Sequence, residues 1–143
     1  MIRACPACGR KNRIAAGHLT DEARCGACKA PLPSLAQPVD ADPELFREVV
    51  EGATVPVLVD FWASWCGPCK VAAPEVQRTA SAMAGKAVVL KVDTDAHPEL
   101  AQRFGVTSIP NFVVFRGGEV AHQQAGLVDQ KTLEGWLRRA GAS

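Results

Sequence analysis

Three stretches of this chain are apolar almost without interruption, at 55–62, 87–93 and 111–116. Runs this short and rich in valine and phenylalanine predict strands, the first of them covered on both faces. Around them the apolar positions recur at helical spacing instead. Leu45, Phe46, Val49 and Val50 form a stripe that Asp42-Pro43-Glu44 opens with an N-cap, a first-turn proline and a first-turn acid, and that Gly52 ends. A second helix is expected from Lys70 towards Met83, stopped by Gly85, with a kink at Pro74 because proline lacks the donor for that turn. Pro98 opens a short helix that Gly105 ends, and Asp129 caps a last one with Leu133, Trp136 and Leu137 on one side. Gly117-Gly118 signals a hairpin whose return strand runs from Glu119 to Gln124. This order predicts an α/β fold, a mixed sheet with helices on both faces, in which 55–62 and 87–93 are joined by a right-handed parallel crossover.

Residues 1–33 lack such periodicity and cannot bury a core of their own. They carry Cys5-Pro6-Ala7-Cys8 and Cys25-Gly26-Ala27-Cys28, sixteen residues apart. That spacing fits a structural zinc site, where one tetrahedral ion held by Cys5, Cys8, Cys25 and Cys28 supplies the missing folding energy. The alternatives are local or crossed disulfides, or a metal-free disordered arm. Gly9 and Gly26 are expected at the tight turns that bring backbone N–H groups towards the sulfurs. His18 reads as a surface histidine, since four thiolates already close the coordination of the ion. The proline-rich segment 30–41 reads as a semi-extended linker with room for a short strand near its end. The expected division is a four-cysteine zinc ribbon at 1–33, a linker at 34–41 and the α/β domain at 42–143.

The candidate chemistry sits where the first long strand turns into a helix, at Trp62-Ala63-Ser64-Trp65-Cys66-Gly67-Pro68-Cys69-Lys70. Cys66 is expected at the helix mouth, where unpaired N–H groups and the positive end of the dipole favour a thiolate, which makes it the nucleophile. Cys69 lies a turn further in on the same face, near enough to close a disulfide but expected to be less exposed, and fits the resolving thiol. Pro68 suits the first turn and stiffens it. The other reading of this pair is half of a metal site, or merely buried thiols. Asp60 is a carboxylate inside a buried strand, on the face of Leu58 and Trp62, and has to be protonated, paired or used; Lys91 in the neighbouring strand is its natural partner.

Composition narrows the field further. The chain has 143 residues, 48% of them hydrophobic, enough for one domain and a small appendage, and its formal charge of +1 gives no dominant electrostatic partner. Residues 1–33 hold six basic side chains against two acidic ones, but without interleaved aromatics, so these charges are read as offsets to an anionic zinc-thiolate centre and nucleic acid is not an expected partner. No run is long enough to span a membrane, and the N-terminus has no apolar core of a signal peptide, so a cytoplasmic monomer is expected. All six cysteines fall in CxxC pairs, which in a reducing compartment points to metal and redox chemistry.

WCGPCK following VDFWA resembles the active site of thioredoxins, and the element order of 40–143 is similar to theirs. The resemblance implies the thioredoxin fold and a protein-disulfide reductase that holds no organic cofactor and is recycled by an NADPH-dependent thioredoxin reductase. It implies that Asp60 serves as general base for the resolving cysteine with Lys91 tuning it. It also implies that Ile109-Pro110 is a cis peptide facing the thiols, and that Trp65, Gly67, Pro68, Ile109, Pro110 and Gly126 meet the substrate. Gly126 reads equally as a plain turn before a helix. Asn111 stands where thioredoxins usually carry threonine, and Ser64 where an acid is common. Two CxxC motifs ahead of such a domain resemble the bacterial zinc-containing class called thioredoxin 2. Two other functions fit the residues: a sensor whose zinc ribbon docks a partner, and an oxidising or isomerising catalyst.

Overall fold

The structure, a computed structural model, describes residues 1–142. The N-terminal head is two antiparallel hairpins, β1 (Ile2–Ala4) with β2 (Lys11–Arg13) and β3 (Ala23–Arg24) with β4 (Pro31–Leu32), each enclosing one CxxC turn. Gly9 and Gly26 both lie in the turns as expected; Gly9 has φ +78°, and the left-handed position of the second turn is Lys29 at φ +65°. Gly26 donates its N–H to Asn12 Oδ1 at 3.0 Å. The head packs its few apolar side chains on the larger unit: Ile14, Leu19 and Leu32 share a buried cluster with Phe46, Val49 and Val50. Those three lie on α1 (Pro43–Gly52), whose N-cap Asp42 accepts the Leu45 N–H at 2.8 Å. At its far end a Cβ added to Gly52 would stand 2.7 Å from Ala16 Cβ, so only glycine allows the head to approach so closely.

The central sheet has the order β5-β7-β6-β8-β9, from β5 (Val39–Asp40), β6 (Val57–Trp62), β7 (Val88–Asp93), β8 (Asn111–Arg116) and β9 (Glu119–Ala125). Strands β5, β7 and β6 are parallel, β8 runs antiparallel to β6, and β9 runs antiparallel to β8. The stretch expected as a linker thus ends in a strand of the sheet, and hydrogen bonds from Ser34 to the Thr20 carbonyl and from Ser81 to the Ala36 carbonyl tie it down.

Alternate residues of each strand serve the two faces, which is why the runs are apolar throughout. Val57, Val59, Phe61, Val88, Leu90, Val92, Val113 and Phe115 pack towards α1 and Leu100 of α3 (Pro98–Arg103). Leu58, Val89, Phe112 and Val114 pack towards Ala72, Val76 and Ala80 of α2 (Gly67–Ala82) and towards Leu133, Trp136 and Leu137 of α4 (Gln130–Arg139). Asp60 and Lys91 therefore belong to the α2 face. Helix α2 runs on through Pro74, and Asp129 caps α4 through the Thr132 N–H. Among the described residues no helix is long and apolar enough to cross a membrane.

Candidate functional site

Strand β6 ends at Trp62, and α2 begins five residues later at Gly67. Cys66 is the N-cap of α2, with extended φ −84° and ψ 110°, and its Sγ accepts the Cys69 N–H at 3.1 Å. An amide that would otherwise lie unpaired at the first turn is thus aimed at the sulfur, the arrangement that favours a thiolate once the pair is reduced. Cys66 and Cys69 form a disulfide with their Cα atoms 5.2 Å apart. Exposure does not separate them as expected: Cys66 is 3% and Cys69 5% exposed. The cap geometry, not solvent access, distinguishes the two sulfurs.

Around the pair the loops converge from distant parts of the chain. The Ile109–Pro110 peptide is cis, and the Ile109 carbonyl oxygen lies 3.7 Å from Cys66 Sγ. Pro110 in turn accepts the N–H of Gly126, which is exposed with φ +103°, so the turn before α4 is tied to the same edge. Gly67 and Pro68 are exposed at the start of α2. Trp65 is 68% exposed and held by a hydrogen bond from its indole N–H to Asp95 Oδ2 at 2.9 Å. Asp95 had no signal in the sequence as a partner of Trp65, because the two are thirty positions apart.

Beneath the disulfide a cavity of about 290 Å³ is lined by Cys69, Asp60, Lys91, Trp62 and Ala73 among others. Asp60 is buried, its Oδ1 has no partner, and loss of hydration pushes its carboxyl up to about 7 from the usual 3.8, with the Lys91 charge pulling the other way. Lys91 is opposite Asp60 in the sheet but makes no ion pair with it: the Lys91 ammonium sits 4.6 Å from the Trp62 ring centre. The expected pairing is therefore a through-space interaction.

Because burial favours the neutral form, the native protein keeps the Asp60 proton up to about pH 7, whereas the unfolded chain releases it near 3.8. The native state binds the extra proton, so this group makes stability fall as pH rises between those values. Asp60→Asn is expected to raise the melting temperature above about pH 8, by up to about 4 kcal/mol in stability, and the gain should vanish below about pH 4. Melting curves of the two proteins across pH check it; a gain independent of pH would contradict the assignment.

In the head the four cysteine Sγ atoms all lie within 4.8 Å of one another, Cys5 3.6 Å from Cys28 and Cys8 3.7 Å from Cys25. A tetrahedral ion with thiolate bonds of about 2.3 Å spaces its ligands about 3.8 Å apart, so the cluster fits one such ion. Backbone N–H groups of Cys28 and Ala27 draw the Cys25 thiol down to about 6, while Cys8, despite the Arg10 N–H, is pushed up to about 11 by its sulfur neighbours. Sulfurs this close cannot all ionise without a cation among them. The cluster can hold a metal. Asn12, not singled out in the sequence, donates to Cys25 Sγ at 3.6 Å and bridges to the second turn through Gly26.

His18 pairs with Asp21 at 2.8 Å and is exposed, outside the cluster, as expected. His97 precedes α3, its side chain 27% exposed. His122 on β9 is exposed, its ring 4.3 Å from that of Trp136.

Comparison with known proteins agrees with this geometry. The family model for thioredoxin matches residues 37–139. A thioredoxin 1 from Nostoc sp. is 44% identical over 94 residues, covering 66% of this chain and 88% of that protein. Thioredoxin C-3 from Corynebacterium nephridii is 35% identical over 137 residues, 96% of this chain and 93% of that one, so the aligned region takes in most of the head. A solved structure, a mutant thioredoxin from Halobacterium salinarum, superposes with a TM-score of 0.71 at 30% identity over 78% of this chain and 97% of that one. With the family matched over most of its length and a disulfide at the helix mouth, the chain belongs to the thioredoxin family and is a thiol–disulfide oxidoreductase, a protein-disulfide reductase.

Proposed function

We propose that Cys66 is the attacking thiolate and Cys69 the resolving one. Cys66 attacks one sulfur of a substrate protein's disulfide, forming a mixed disulfide and releasing the other substrate sulfur as thiolate. Cys69 then attacks Cys66 Sγ, the second substrate thiolate leaves, and the Cys66–Cys69 bridge holds the oxidised pair. The observation that carries this order is the Cys69 N–H directed at Cys66 Sγ from the first turn of α2.

Asp60, partly neutral at physiological pH and lining the cavity beside Cys69, takes the proton of the resolving thiol, and Lys91 across the same cavity favours the charged carboxylate. Asp60→Asn then slows release of the mixed disulfide while leaving its formation intact. Trp65, Gly67, Pro68, Ile109, Pro110 and Gly126 form the docking face, on which an extended substrate segment lies beside Ile109 and Pro110.

Electrons return from NADPH through a thioredoxin reductase, and the reaction belongs in the reducing cytoplasm. The head at 1–33 is a zinc ribbon, joined through 34–41 to the catalytic unit at 42–143, with β5 of the joining stretch already in the sheet. Cys5, Cys8, Cys25 and Cys28 hold one Zn²⁺, which supplies folding energy to the head. This places the chain in the zinc-containing thioredoxin 2 class.

One assay tests the reading: reduction of insulin by the full-length protein, coupled to NADPH through a thioredoxin reductase, with the zinc content measured on the same sample. Turnover with about one zinc per chain is expected. Substoichiometric zinc in freshly purified protein would reject the ribbon, and absent turnover would reject the reducing direction.

A further inference from the structure

The loop between α3 and β8 has few bonds of its own. Val106 N–H reaches the Ala101 carbonyl at 2.8 Å, but among the described residues Thr107, Ser108 and Ile109 make no backbone–backbone hydrogen bond. This is the segment whose Ile109 carbonyl lies beside Cys66 Sγ. Two side-chain amides bridge it. Gln123, exposed on β9, donates from Nε2 to the Phe104 carbonyl at 2.9 Å and to Asn111 Oδ1 at 3.3 Å. Asn111, 5% exposed at the start of β8, donates from Nδ2 to the Ser108 carbonyl at 3.5 Å.

Both ends of the loop are therefore fastened through one pair of amides bonded to each other. The inner amide is one of three polar side chains buried among the described residues, and burial makes its bonds costly to lose.

We propose that Gln123 and Asn111 are positioning residues for protein substrates, holding the loop 104–110 so that its unpaired backbone edge at Ile109 is already in place beside Cys66. A segment that pairs with this edge would otherwise have to order the loop on arrival, and the free energy of ordering is subtracted from binding. A small disulfide, which touches the sulfur but not the edge, gains nothing from the pair. The inference rests on Ile109 being the docking edge.

The test compares steady-state reduction of insulin with attack on the small disulfide DTNB, using the full-length protein, Gln123→Ala and Gln123→Lys. Lysine keeps a donor on a side chain long enough for both oxygens. Loss of the bridge is expected to raise KM for insulin about fivefold in Gln123→Ala with little change in kcat. The DTNB rate should stay at the wild-type value, and Gln123→Lys should recover the wild-type KM. An unchanged KM in Gln123→Ala, or a DTNB rate that falls in the same proportion, overturns the proposal, the second result marking a purely structural role. A disulfide-bearing peptide whose backbone amides beside the cysteine are N-methylated separates this from the docking reading, because it cannot pair with the edge. No rise in KM on N-methylation with the wild-type protein overturns both, whereas a rise there without one in Gln123→Ala overturns only the positioning pair.

Discussion

Cys66→Ser is expected to abolish insulin reduction, lowering kcat/KM by at least about a thousandfold, because a hydroxyl at the mouth of α2 stays protonated and is a poor nucleophile towards sulfur. The residues around it should be undisturbed, since serine still accepts the Cys69 N–H that caps the helix. Cys69→Ser distinguishes the roles of the two sulfurs. There Cys66 still attacks, but nothing resolves the product, so a stable mixed disulfide with a substrate should accumulate, and mass spectrometry after digestion should place it on Cys66. If the adduct formed on Cys69 of Cys66→Ser instead, the assignment of roles would be reversed.

Removing the zinc proposed for the head should have the second largest effect, on stability. All three tryptophans, Trp62, Trp65 and Trp136, lie outside the head, so their fluorescence reports melting of the catalytic unit. Ile14, Leu19 and Leu32 are buried in one cluster with Phe46, Val49 and Val50, so unfolding of the head uncovers the outer face of α1. Loss of that packing is worth about 2–4 kcal/mol and a fall of about 5–15 °C in melting temperature. Chelator-treated protein, or Cys25→Ser, should show this shift, and readdition of zinc should restore it only in the former. An unchanged tryptophan transition would mean that the head is a passenger on the fold.

These two expectations draw on different ranges of information. The redox pair, its position at a strand-to-helix turn, the caps at Asp42 and Asp129 and the Gly117-Gly118 hairpin were legible because each depends on residues within a few positions of one another. The spacing of the two N-terminal CxxC pairs likewise announced a four-sulfur cluster, and the folded head brings those sulfurs within 4.8 Å. Gly26 lies in the expected turn, where it donates to Asn12, while the left-handed position of that turn falls to Lys29. Cys66 was expected to be the more open sulfur, but the Ile109 loop covers it.

From the linear order of residues alone follow the α/β class, the strands and helices of 42–143 to within a few positions, and which cysteines work together, because periodicity, capping and spacing act at short range. Only the folded chain decides that Asp95 holds Trp65, that Gln123 and Asn111 fasten the loop, that Lys91 turns to the Trp62 ring instead of pairing with Asp60, and that the head leans on α1. Each of these joins residues whose separation along the chain carries no trace of their meeting; it is the stacking of helices on a twisted sheet that sets the distance, and with it which polar groups find partners and which stay unpaired.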